Sequence, residues 1–175
     1  MIEVKEKVLV FHGAKLKQFY TKNMLLRSMI VVITGASKGI GKAVATAFAQ
    51  KGDTLLLCSR GETALYDTVA ELQTAYPSAT IKARPTDMSN EADVLAFASW
   101  CLEKGTPDII VNNAGISISK SITDHSIEDW DKLYDILVKG QFLVSKLGVE
   151  VMRKQGFGGD IVNIVSKNSV VSGPN

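Results

Sequence analysis

Short apolar runs alternate with longer helical patterns between residues 29 and 165, and this alternation limits the possible folds more than any other feature of the chain. Most of the runs are rich in Val, Ile and Leu, as is typical of strands that are buried on both faces. The predicted strands cover residues 29–33, 54–58, 80–84, 108–112 and 160–165.

The segments between these strands space their apolar residues three and four apart, which is the period of an amphipathic helix. The predicted helices cover residues 42–50, 62–76, 91–103 and about 126–154. Strands that alternate with helices predict a parallel sheet with helices on both faces. Because crossovers are right-handed, the favoured fold is a doubly wound, Rossmann-like α/β sheet of about five strands.

Residues 1–28 differ from the rest of the chain in charge. They hold six Lys or Arg against two Glu, whereas the remaining 147 residues hold 14 Lys or Arg against 16 Asp or Glu. A basic segment can indicate an anionic partner such as nucleic acid. These cations are not clustered, so we interpret residues 1–28 as a solvated basic extension of one domain at 29–175 and expect no nucleic-acid partner.

The composition excludes several classes of protein. Two cysteines and two histidines are too few for a disulfide framework or a Cys-rich zinc site, so we expect a cytoplasmic location and no bound metal. No apolar stretch approaches the ~20 residues that span a membrane. The N-terminus also lacks the pattern of a secretory signal, so we expect no membrane association.

Three glycines, Gly35, Gly39 and Gly41, lie where the first predicted strand passes into the first helix. Glycines at this place permit a tight turn, close approach of a diphosphate to the backbone and close packing of helix on strand. The diphosphate would meet free N–H groups and the positive end of the helix dipole. The loop therefore predicts a dinucleotide site, although its G-x-x-x-G-x-G spacing differs from G-x-G-x-x-G.

Four motifs within residues 29–175 resemble those of the short-chain dehydrogenase/reductase family. They are T-G-A-S-K-G-I-G at 34–41, Asp87 after the third predicted strand, N-N-A-G at 112–115 and I-V-N-I-V-S at 161–166. The resemblance implies hydride transfer between a nicotinamide dinucleotide and a small carbonyl or alcohol substrate.

The resemblance also implies that Asp87 and the backbone of Met88 contact the adenine, and that Asn113, Ala114 and Gly115 pass beside the cofactor ribose. Together with the glycine loop and the end of the second strand, these positions make up the predicted cofactor site. Its residues are Gly35, Ser37, Lys38, Gly39, Ile40, Gly41, Arg60, Asp87, Met88, Asn113, Ala114 and Gly115.

The end of the second predicted strand favours NADP over NAD. An acidic residue there would accept the ribose 2′-hydroxyl of NAD, but the sequence reads Ser59-Arg60. The planar fork of Arg60 and the charge of Lys38 suit a 2′-phosphate. Asp53 precedes this strand, at the end away from the cofactor, so we assign it to a turn.

The catalytic set that the resemblance implies is incomplete. It consists of a Tyr general acid/base, a Lys four residues later, a Ser that holds the substrate oxygen and an Asn on the long helix. Ser166 matches the serine, but Leu137 stands where the Asn is expected and no Tyr-x-x-x-Lys pair occurs in the 175 residues. We therefore expect a chain truncated before this pair, which binds NADP weakly at best and catalyses nothing.

Truncation would also leave apolar surfaces uncovered. We expect an open edge at the strand 160–165 and an exposed row on the long helix, both of which favour self-association. The row comprises Trp130, Leu133, Leu137 and Val144. Two hypotheses stay open: a fragment of an NADP-dependent oxidoreductase, and a non-catalytic nucleotide-binding or interaction module.

Overall fold

A computed structural model describes residues 6–10, 28–156 and 158–166 of the chain, with the backbone alone for residues 6–10. The described residues form a parallel sheet of six strands in the order β1-β6-β5-β2-β3-β4. The strands are β1 (Glu6–Val10), β2 (Ile30–Thr34), β3 (Thr54–Ser59), β4 (Thr80–Pro85), β5 (Ile109–Asn112) and β6 (Asp160–Val165). The doubly wound sheet and its five predicted strands are confirmed.

Within the described residues, five α-helices lie between β2 and β6. They are α1 (Gly39–Ala49), α2 (Glu62–Ala75), α3 (Glu91–Lys104), α4 (Ile127–Tyr134) and α5 (Gln141–Lys154). A π-helical turn, Asp135–Gly140, joins α4 to α5, and a short 3₁₀ helix, Ile122–Asp124, precedes α4. The long predicted helix therefore exists, but a wider turn interrupts it.

Helices cover both faces of the sheet, which explains why its central strands are almost continuously apolar. Side chains alternate between the two faces along a strand. In β2, Val31 and Ile33 join the core beneath α1 and α2, whereas Val32 joins the core beneath α3 and α5. The two cores leave no polar face on the central strands.

Two buried aspartates hydrogen-bond to the backbone at the amino end of β2. Asp53 lies before β3 and its Oδ1 accepts a hydrogen bond from the Met29 N–H at 2.9 Å. Asp108 lies before β5 and its Oδ2 accepts one from the Ile30 N–H, also at 2.9 Å. Burial raises the pKa of the Asp53 carboxyl. The structure thus places Asp53 at the edge of the sheet opposite the glycine loop.

The expected open edge at residues 160–165 is wrong. β1 pairs with β6 in parallel along its whole length, from Glu6 beside Ile161 to Val10 beside Val165. The basic segment therefore contributes an edge strand. Its short apolar run V-L-V is typical of a strand, but the charges of the segment led to its interpretation as a solvated extension. Most of residues 1–28 lies outside the described residues, and a domain boundary at residue 28 stays a prediction.

The expected exposed row on the long helix is wrong in part. Trp130 and Leu137 are exposed and Leu133 is half-buried, but Val144, on α5, is buried in the core that α5 shares with α3. The difference arises because the π-helical turn changes the face that the later residues present.

Deletion of residues 1–10 is expected to expose the outer edge of β6, because the backbone groups that face β1 lose their partners. We expect faster amide hydrogen exchange in Asp160–Val165, measured by mass spectrometry. Exchange in β4, the edge strand on the opposite side, should not change and is the control. Equal exchange in Asp160–Val165 with and without residues 1–10 would contradict the pairing.

Gly148 lets α5 lie against β5, since a Cβ there would come 2.1 Å from Ile110 Cδ1. We expect Gly148→Ala to lower the free energy of unfolding by about 1–3 kcal/mol. Ile110→Val removes that Cδ1 and costs about 0.5–1.5 kcal/mol alone. In urea denaturation the double variant should lose less than the sum of the two single losses. Additive losses would show that the two residues do not share this contact.

Candidate functional site

The strand order reverses between β2 and β5. From β2 the chain proceeds outward to β3 and β4, and then crosses to β5 on the other side of β2. The loops that follow β2 and β5 therefore part at the carboxyl edge, which is where ligands bind to open α/β sheets. A cleft of about 580 Å³ opens at this point.

Eleven of the twelve predicted cofactor-site residues line this cleft. They are Gly35, Ser37, Lys38, Gly39, Ile40, Arg60, Asp87, Met88, Asn113, Ala114 and Gly115. Gly41 is buried instead, and a Cβ there would lie 2.2 Å from Gly35 O. Its place in the structure is close packing beneath the loop. The structure brings these residues together, and their binding role stays a prediction.

A set of hydrogen bonds holds the loop after β2 against the loop after β5. Thr34 Oγ1 accepts from the backbone N–H groups of Asn113 and Ala114, each at 3.0 Å. Asn113 Nδ2 donates to Thr34 O and Gly35 O, also at 3.0 Å. Gly35 has φ +67°, and a Cβ on it would come 2.8 Å from Ala114 Cα. Position 35 therefore requires glycine for two reasons: the positive φ disfavours other residues, and there is no room for a Cβ.

Helix α1 directs free donors into the cleft. Its N-cap residue, Lys38, makes no capping hydrogen bond through its side chain. The backbone N–H groups of the first turn have no partners within a helix, and the helix dipole adds positive potential there. Gly39 has φ +56° and open space where a Cβ would be. An anion in the cleft would meet these groups.

The ends of β3 and β4 bring a cation and an anion to the cleft. The two strands pair as far as Ser59 beside Pro85, and the Thr86 N–H donates to Ser59 O at 3.0 Å. Arg60 and Asp87 follow directly, and both line the cleft.

The carboxylate of Asp87 is fixed in place. Its Oδ1 accepts from the N–H of Ser89 at 2.9 Å and from Ser89 Oγ at 2.7 Å. Partial burial raises the pKa of Asp87, but these hydrogen bonds and the charges of Arg60 and Lys132 outweigh that effect and lower the pKa below its ordinary value. Asp87 is therefore ionised at neutral pH.

The π-helical turn forms another wall of the cleft. Ile136 is buried and lines the cleft. Gly140 lies against the loop after β4, since a Cβ there would come 2.8 Å from Met88 O. Leu137 lies beside Gly115, with its Cδ2 at 3.2 Å from where a Cβ would stand. Ile136 was not predicted as a site residue, and nothing in the local pattern of residues signals a π turn.

Sequence reasoning also missed several lining residues at the strand ends. These are Ser59, Gly61, Ala64, Thr86 and Ile116. Ser59 directly precedes Arg60, and Thr86 directly precedes Asp87. Adjacency to these two predicted residues is the signal that could have identified Ser59 and Thr86.

Ser166 follows β6 at the same edge of the sheet and is exposed, but it is not among the residues that line the cleft. At the end of β5, Asn112 Nδ2 donates to Ser145 Oγ and to Asn163 Oδ1, each at 2.8 Å, which ties β5 to α5 and β6. The catalytic role of Ser166 stays a prediction.

Two other kinds of feature are absent from the described residues. The described ranges contain no group of three or more His, Cys, Asp or Glu placed to hold a metal ion. In the described part of the chain no helix has the length and apolar character to cross a membrane.

Burial raises the pKa of the Cys58 thiol to about 12, so this thiol beneath the glycine loop is protonated at neutral pH.

Known proteins are similar to this chain over most of its length. An uncharacterized oxidoreductase of Staphylococcus epidermidis is 36% identical over 141 residues, which are 81% of this chain and 59% of that protein. A short-chain dehydrogenase of Sphingobium yanoikuyae, solved in complex with NADPH, has a TM-score of 0.75 and 28% identity over 82% of this chain and 56% of its own. The L-sorbose reductase of Gluconobacter frateurii, solved with NADPH and L-sorbose, has a TM-score of 0.76 and 28% identity over 82% of this chain and 54% of its own.

The chain thus spans less than two thirds of the length of these proteins. The sequence model of the short chain dehydrogenase family matches residues 29–175, which include every described strand and helix after β1. The chain belongs to the short-chain dehydrogenase family.

Proposed function

We propose that this chain is the nucleotide-binding part of an oxidoreductase that transfers hydride between NADP(H) and a small carbonyl or alcohol substrate. One observation carries the proposal: the glycine loop, the start of α1 and the N-N-A-G loop meet in one cleft at the switch point of the sheet. Family membership supports it, and so does the NADPH in the S. yanoikuyae and G. frateurii structures. We place the protein in the cytoplasm, because both cysteines are free thiols.

The residues of the cleft fit a dinucleotide. The backbone N–H groups at the start of α1 would bind the diphosphate, since glycines remove the side chains that would block it. Asp87 and the backbone of Met88 would hold the adenine, and residues 113–115 would lie beside a ribose. The exposed side chain of Ile40 offers an apolar surface in the lining of the cleft. When bound, the nicotinamide would supply or accept the hydride.

The preference for NADP rests on charge. Arg60 and Lys38 line the cleft and are exposed, and neither side chain has a hydrogen bond or a close ion pair among the described residues. A 2′-phosphate would give both cations a partner, and charge-assisted hydrogen bonds to Arg are strong ones. Asp53, the acidic residue near β3, hydrogen-bonds at the opposite end of the sheet, where it cannot reach a ribose.

We further propose that these 175 residues bind nucleotide without turning over a substrate. Hydride transfer to a carbonyl creates an alkoxide, and a side chain that can donate a proton at neutral pH must protonate it. The family's Tyr-x-x-x-Lys pair, which has this role, is not among the 175 residues. The hydroxyl of Ser166 is far too weak an acid to replace it. The alternative is a non-catalytic nucleotide-binding or interaction module. Sequencing the gene locus separates the two, since a downstream Tyr-x-x-x-Lys favours the fragment and unrelated sequence favours the module.

Arg60→Ala is expected to weaken NADPH binding by about tenfold, or ~1.4 kcal/mol, and to leave NADH binding nearly unchanged, because only NADPH carries the 2′-phosphate. Fluorescence titration of both nucleotides measures this. Arg153→Ala, an exposed arginine on α5, is the matched control. Equal affinity for NADPH and NADH, unaffected by Arg60→Ala, would refute the 2′-phosphate argument.

We also propose that the protein self-associates through a helical stripe formed by Trp130, Tyr134, Val138 and Phe142. These residues are spaced four apart across α4, the π turn and α5, and they are 49–65% exposed. Contiguous apolar surface of this kind marks an interaction site.

The charges beside the helical stripe suit a second copy of the chain. The stripe lies on the helical segment 127–154, whose first part is acidic and second part basic. Residues 127–138 hold four acidic residues and one lysine, and residues 139–154 hold four basic residues and one glutamate. Two such segments related by a twofold axis run antiparallel, so an acidic part of one copy would face toward a basic part of the other.

Phe142→Glu is expected to weaken this self-association by at least about tenfold in the dimer Kd, because a charge would enter an apolar contact. Sedimentation equilibrium measures the effect. Tyr66→Glu changes an exposed aromatic residue on α2 and should have no effect. The proposal fails if the intact chain is monomeric, or if both variants associate like the intact chain.

A further inference from the structure

The cleft contains one fixed anion among several cations. Asp87 is the only acidic residue among the described residues that line it, whereas Lys38 and Arg60 line it as well. Lys132, from α4, also acts on the Asp87 carboxylate electrostatically. The binding role proposed above uses the cations for a phosphate, so the carboxylate needs an explanation of its own.

The strand register brings Asp87 close to Arg60 at the ends of β3 and β4. The last paired positions are Ser59 and Pro85, so Arg60 lies one residue and Asp87 two residues past them, on strands about 4.8 Å apart. Both residues line the cleft. A long, exposed arginine in this position can turn toward the carboxylate or toward the cleft.

The two partners differ in mobility. Ser89 holds Asp87 Oδ1 by two hydrogen bonds of 2.9 and 2.7 Å, so the carboxylate stays where it is. Arg60 is exposed and has no hydrogen bond among the described residues. Any change of partner is therefore a movement of the guanidinium.

We infer that Asp87 is a specificity-determining residue that acts as the counter-ion of Arg60 and thereby limits the preference for NADPH over NADH. Without a 2′-phosphate, the guanidinium is attracted to Asp87. A bound 2′-phosphate must compete with this carboxylate for the guanidinium. The inference rests on the proposed nucleotide-binding function.

The ratio of the two nucleotide affinities isolates this effect. Any contact between Asp87 and the adenine ring is common to NADPH and NADH, so it cancels in the ratio of their Kd values. Asp87→Asn keeps an oxygen that can accept from Ser89 while removing the charge. We expect it to raise the ratio of the NADH Kd to the NADPH Kd by about three- to tenfold, as fits one charge in a solvated cleft.

The test is a double-mutant cycle on the full chain, with fluorescence titration of NADPH and NADH for the intact protein, Arg60→Ala, Asp87→Asn and the double variant. In the Arg60→Ala background, Asp87→Asn should change the ratio by less than about twofold. Glu62→Gln removes an exposed charge at the start of α2, outside the cleft lining, and should not change the ratio.

Each outcome decides between the proposals. An unchanged ratio in Asp87→Asn, with NADPH still bound, overturns the inference and leaves the nucleotide-binding function standing. An equal rise with and without Arg60 also overturns it, because Asp87 would then act on the phosphate directly. If the intact chain binds neither nucleotide, both proposals fall.

A measurement without nucleotide gives a second check. Removing a neighbouring cation raises the pKa of a carboxyl group. The NMR titration of Asp87 should therefore shift to higher pH in Arg60→Ala, and an unshifted titration overturns the pairing with Arg60.

Discussion

The contact between the loop after β2 and the loop after β5 determines the geometry of the whole carboxyl edge. Thr34 and Asn113 hold the two loops together by four hydrogen bonds, and Gly35 lies so close to Ala114 that a Cβ does not fit. The crevice, the orientation of α1 and the free donors of its first turn all follow from that contact. In a parallel sheet this is the place where helices from the two faces diverge.

The two edges of the sheet carry different kinds of charge. At the amino edge, the buried carboxylates of Asp53 and Asp108 bind backbone N–H groups and join neighbouring strands, which is a structural task. At the carboxyl edge, exposed cations surround a cleft with backbone donors. Asp87 is the exception, since it is an ionised carboxylate on the side where an anionic ligand is proposed to bind. That exception is why its charge bears on cofactor choice.

The parts of the fold that follow from local sequence could be predicted. Apolar runs and helical spacing identified the five strands after β1, and the order of motifs brought the residues of the cleft together. The pairing of β1 with β6 joins segments more than 150 residues apart, and no local pattern encodes such a pairing. The π turn was missed because it depends on how Gly140 packs against Met88, which is a tertiary contact. The burial of Val144 was missed for the same reason.

The most direct test of the account is to locate the bound nucleotide on the backbone by NMR. In ¹H–¹⁵N spectra of the full chain, addition of NADPH should shift the amide signals of Gly39, Ile40 and Gly115, whose residues line the cleft. The signals of Gly52 and Gly105, outside the cleft lining, should stay in place. No shift at the glycine loop, or shifts confined to the amino edge of the sheet, would contradict a dinucleotide site at the switch point.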